Sequence, residues 1–66
     1  MIYKVIQRDA KTKRQVKKRV YLTDKAFNQH SPDIIDRYTR CYDVEVYNFI
    51  DEDWKLFKTY PCKKSD

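Results

Sequence analysis

The chain contains no glycine in 66 residues. Glycine reaches positive φ without steric cost, so its absence restricts how tightly this backbone can turn. It also removes Gly-rich phosphate loops and Gly-dependent nucleotide fingerprints, which need backbone that a Cβ would obstruct. A tight type I′ connection asks for Asn-Gly or a similar pair, so the first hairpin is expected to close through a longer loop.

At this length there is room for one domain, because domains run to roughly 50–250 residues. Such a chain hides only about 60% of its unfolded surface, so its stability should be marginal. Hydrophobic residues make up 41% and charged residues 38%. That balance is too apolar for a disordered tail and too polar for a membrane span. No stretch approaches the roughly 20 apolar residues of a bilayer crossing. The opening MIYKVIQRDAK lacks the apolar core, about 7–15 residues long, of a secretory signal. The expectation is a soluble, cytoplasmic mini-domain with no membrane partner.

The net charge of +5 is unevenly spread. Residues 1–25 hold nine cations against Asp9 and Asp24, a local charge of +7. Residues 26–53 hold Arg37 and Arg40 against seven carboxylates, a local charge of −5. The remaining residues carry Lys55, Lys58, Lys63 and Lys64 against Asp66, a local charge of +3. A field of this shape speaks to partners and association rates rather than to fold.

Residues 1–8 (MIYKVIQR) read as a strand, with Lys4 interrupting the alternation. Residues 9–14 form a polar turn opened by Asp9, and residues 15–22 form a second strand. Its alternation puts Val16, Lys18, Val20 and Leu22 on one face and Lys17, Arg19 and Tyr21 on the other, outer face. Ser31-Pro32-Asp33 has the order of an N-cap, a first-turn proline and a dipole-favoured carboxylate. Ile34, Ile35, Tyr38 and then Cys41 or Tyr42 continue it as a helical stripe, which predicts a helix at about residues 32–40. Thr23-Asp24 can cap a shorter turn over residues 24–29, anchored by Phe27.

Residues 41–50 alternate, Asp51-Glu52-Asp53 turns, and residues 54–60 return. Setting Phe49 opposite Trp54 also sets Tyr47 against Leu56, Glu45 against Lys58 and Cys41 against Cys62. The predicted fold is α+β, in the order β-β-α-β-β: a four-stranded antiparallel sheet of two hairpins with one main helix on a face. Its parts are a basic hairpin at 1–22, the helix, a second hairpin at 41–60 and a short basic tail at 61–66. The expected core is Ile2, Val20, Leu22, Phe27, Ile34, Ile35, Tyr38, Val46, Trp54 and Leu56.

Few residues suggest chemistry. Without a secretory signal Cys41 and Cys62 are expected as thiols, although cross-strand neighbours within about 7 Å can be bridged. His30 with the two cysteines matches no zinc-ligand spacing. Asp51, Glu52 and Asp53, with Asp33 and Asp36, are the carboxylates a hard cation takes, but they lack the glycine of a calcium loop and read as a solvated turn. Ser31 has no recognisable base and is better explained as a cap. The expectation is therefore a non-enzyme with no metal and no cofactor.

The best functional candidate is the basic hairpin. Lys11, Lys13 and Arg14 at its tip, with Lys17, Arg19 and Tyr21 along its strand, suit a β-ribbon laid on a nucleic-acid backbone. Lysines also keep edge strands from associating, but nine cations in 25 residues exceed what solubility needs. A helix-turn-helix over residues 24–40 is weaker, since Asp33 and Asp36 lie where its recognition helix would meet DNA.

The abundance of Lys, Tyr, Ile and Asp, with no Gly and few Ala, resembles in composition the early proteins of bacteriophages. That resemblance rests on no motif and assigns no residues. It adds a second expectation, a phage-type inhibitor that occupies a host protein, nucleoprotein complex or defence enzyme. Its acidic residues Asp43, Glu45, Asp51, Glu52 and Asp53 would then meet a basic groove.

Overall fold

Alternating β-branched and aromatic residues build four strands around one helix in the computed structural model, which describes residues 1–63. The elements are β1 (Ile2–Asp9), β2 (Gln15–Tyr21), α1 (Asp24–Tyr38), β3 (Tyr42–Ile50) and β4 (Asp53–Tyr60). All neighbouring strands are antiparallel, in the spatial order β2-β1-β3-β4. The expected β-β-α-β-β sheet with one covering helix is the fold this chain adopts.

The helix differs from its expected span. It begins at Asp24, where the Thr23 hydroxyl accepts a hydrogen bond from the Ala26 N–H at 3.1 Å. Ser31-Pro32-Asp33 is therefore interior, and Ser31 is buried. The short turn over 24–29 and the helix at 32–40 are one element, because the Thr23 cap satisfies an N-terminal donor eight residues earlier. Pro32 removes one donor from the helix without ending it. Thr39 closes the helix, with its hydroxyl donating to the Ile35 carbonyl at 2.7 Å.

The two hairpins turn differently. In the first, residues 10–14 form the longer loop expected of a chain without glycine. The Asp9 carboxylate accepts from the N–H groups of Lys11 and Thr12 at 2.8 and 2.9 Å, which holds the loop from inside. The second hairpin closes on Asp51 and Glu52 alone, at φ 53° and 63°. Two positive-φ residues match the twist of the strands, and each costs roughly 1–2 kcal/mol unless it is glycine.

A register shift between Val46 and Tyr47 in β3 corrects the expected pairing with β4. Phe49 does face Trp54 and Tyr47 does face Leu56, but beyond the bulge Glu45 meets Thr59 and Val46 meets Lys58. The ladder ends at Val44 and Tyr60, before either cysteine. Carried onward, the one-residue offset would set Cys62 opposite Tyr42 rather than Cys41, and both cysteines are thiols. One extra residue in one strand moves every later partner, which alternation alone cannot reveal.

The core lies between the helix and one side of the sheet. Val5, Val44 and Val46 are each at most 1% exposed, with Tyr3, Tyr21, Phe27, Ile35, Tyr38 and Tyr60 packed around them. Phe27 stacks on Tyr3 at 3.9 Å between ring centroids and meets Tyr21 edge-on at 5.9 Å. Six of the ten expected core residues are elsewhere. Val20 (47% exposed), Leu22 (72%) and Leu56 (56%) lie open, Ile2 and Trp54 are half-buried on the uncovered side, and Ile34 is half-buried on the helix. On the helix side the rings of Tyr3, Tyr21, Tyr38 and Tyr60 add apolar area around the valines.

Candidate nucleic-acid interface

β2 is the free edge beside β1, and residues 15–20 are all exposed. Its pairing with β1 assigns its faces: Lys17 and Arg19 stand opposite Gln7 and Val5 on the helix side, and Lys18 and Val20 opposite Ile6 and Lys4 on the uncovered side. The expectation that Lys17, Arg19 and Tyr21 form an outer face is thus corrected. Lys17 stays exposed at the edge while Tyr21 is half-buried and meets Phe27 of α1 edge-on.

The six expected contact residues do not act alike. Lys11 and Arg14 project from the loop, and Lys17 from the edge; none pairs with a described carboxylate. Lys13 sits at positive φ and spends its ammonium on Asp43, 2.7 Å away. Arg19 donates through Nε to the Tyr38 hydroxyl at 3.3 Å. Tyr21 has a buried hydroxyl, and burial raises its pKa, so its ring is structural rather than open to a base. Lys18, which alternation assigned to the core side, is a further exposed cation.

The acidic residues divide as well. Asp43 takes Lys13 on one oxygen and the Cys62 N–H, at 2.8 Å, on the other. These bonds, the Lys13 one foremost, hold its carboxyl below the ordinary value. Glu45 receives Arg8 Nε at 2.6 Å and the Tyr47 hydroxyl at 2.8 Å. Burial alone would push Glu45 up, but the bonds from Arg8 and Tyr47 outweigh it, and its pKa falls. Asp51, Glu52 and Asp53 sit at the opposite end of β3, so the five do not gather into one patch. Lys63 docks beside the helix, its N–H on the Thr39 carbonyl at 2.6 Å and its ammonium 3.3 Å from Asp36. Lys64, the rest of the expected basic tail, lies outside the described residues.

The uncovered side of the sheet holds residues that sequence reasoning placed in the core or passed over. Lys4 crosses its neighbours so that its ammonium stands 5.0 Å from the Tyr47 ring centroid and 4.4 Å from that of Trp54. Phe49 lies 5.1 Å from Trp54. The signal was present: Ile2, Lys4 and Ile6 alternate with Tyr3, Val5 and Gln7, so Lys4 marks the wet face rather than an interruption.

Among the described residues no cluster of three or more His, Cys, Asp or Glu could hold a metal ion. His30 lies exposed on the helix, its ring 6.4 Å from Tyr21. No described helix is long and apolar enough to cross a membrane. No family model, curated protein or solved structure matches the chain.

Proposed function

We propose that this protein is a non-catalytic, cytoplasmic module that binds nucleic acid through the β1–β2 hairpin. The observation that carries the reading is the exposed edge strand β2. It presents Lys17 and Lys18 on opposite faces, continuous with Lys11 and Arg14 in the loop, and no described carboxylate pairs with any of the four. An exposed sheet edge and loop with unpaired cations can follow a phosphate backbone, whereas cations already paired gain little from it. Lys13 and Arg19 contribute second, since each must leave a partner.

Binding should weaken with salt at a log–log slope of about −3 to −4, because each neutralised phosphate releases close to one counterion. Replacing Lys11, Arg14 and Lys17 with alanine should flatten the slope by about two to three units while leaving circular dichroism unchanged. No affinity for DNA or RNA at low salt would end the reading. The inhibitor alternative then remains, although its acidic surface is weakened by the use of Asp43 and Glu45 inside the sheet.

A further inference from the structure

A sheet covered by one helix has a second face, and here one end of that face carries ion pairs while the other exposes apolar and aromatic side chains. Cross-strand pairing aligns Ile2 with Phe49 and Trp54 in one row and Val20, Lys4, Tyr47 and Leu56 in the next. Phe49, at 37% exposed, and Leu56 and Val20 leave much of that area to solvent. A protein or a second copy would favour apolar residues throughout, because charged groups are depleted from interface centres. Lys4 lies at the centre of this patch, among the rings. A cation among exposed aromatics instead fits a ligand that brings both flat π surfaces and negative charge.

We infer that the uncovered face is a stacking platform for single-stranded nucleic acid. Bases lie on Phe49 and Trp54, Lys4 moves from the rings to a phosphate, and the backbone continues toward Lys18 and the edge of β2. This inference rests on the proposed hairpin reading and names its substrate: a single strand, whose bases are free to stack, rather than a duplex, whose bases are not. The charges agree with that direction of approach. On the β2 side Lys18 stands opposite Ile6, one row along the same face from Lys4, while Glu45 and Asp43 are already taken by Arg8 and Lys13. The carboxylates of Asp51, Glu52 and Asp53 lie in the turn immediately beyond Phe49 and Trp54, so a phosphate backbone is directed from that row toward Lys4 and the β2 side.

Trp54 is the only tryptophan in the chain, so its emission reports on the platform directly. The test titrates the intact protein with an oligothymidylate of about fifteen nucleotides, and separately with a duplex of equal length, at low salt. The inference expects quenching of Trp54 by the single strand, binding of the duplex that is weaker and unquenched, and a loss of about tenfold in single-strand affinity for Phe49→Ala. Binding of both forms without quenching, and without an effect of Phe49→Ala, overturns the platform and leaves the hairpin reading standing. Binding of neither overturns both. Concentration-dependent Trp54 emission with dimers in sedimentation, and no response to oligothymidylate, assigns the face to a second copy and also overturns it.

Discussion

The two faces of the sheet have similar apolar content but opposite fates. Under the helix, Val5, Val44 and Val46 are sealed by a ring of tyrosines with Phe27 and Ile35. On the other face Phe49, Leu56 and Val20 stand open beside Trp54, and only Ile6, between Lys18 and Glu45, is fully buried. The covered face is held by exclusion of water. The open face is held at one end by ion pairs and at the other by contacts between Lys4 and aromatic rings. A domain with one helix can finish only one core, so the remaining apolar surface stays exposed.

The largest effect should come from breaking the covered face. Val44→Ala should cost about 2–3 kcal/mol, by lost transfer free energy plus the cavity left behind. Leu56→Thr on the open face should stay within about 0.5 kcal/mol. Urea unfolding followed by Trp54 emission measures both, and equal costs would mean the faces are not energetically distinct.

Acid should act on the open face first. Asp43 titrates below its ordinary value in the folded chain, so below that value the unfolded chain takes up protons first and stability falls with pH. Asp43→Asn should therefore be less stable than the parent at pH 7, and the gap should narrow as pH drops below about 4. Thermal melts at the two pH values give the comparison, and a gap independent of pH would remove the ion pair from the account.

The smallest effect should come from Lys4. Lys4→Met keeps the length of the side chain and removes its charge, so the loss should be about 0.5–1 kcal/mol, the range for a cation over an aromatic ring. A gain in stability would show that Lys4 opposes the fold and is retained for contact with a ligand.

Strand positions, the α+β order and the cationic hairpin were all readable from residues 1–22 and 41–60, because alternation and turn chemistry act locally. The pairing of Phe49 with Trp54 and Tyr47 with Leu56 was readable too, since it starts from the turn and runs inward. The helix start was misread because Ser31-Pro32-Asp33 looks like a cap, and only continuity with Thr23 removes that role. The bulge between Val46 and Tyr47 left no mark in alternation, and it shifts by one residue the pairing on the side of the sheet nearer the cysteines.

By itself, then, the sequence determined which segments are strands, that one helix joins two hairpins, and where positive charge concentrates. These depend on each residue and its near neighbours in the chain. Tertiary structure decided which face became the core, which cations found partners and which aromatics stayed exposed. Both faces of β1 and β3 carry enough apolar area to be buried, and a single helix covers one of them. That choice belongs to the packing of Phe27, Tyr3 and Tyr21 against each other, which no single segment contains.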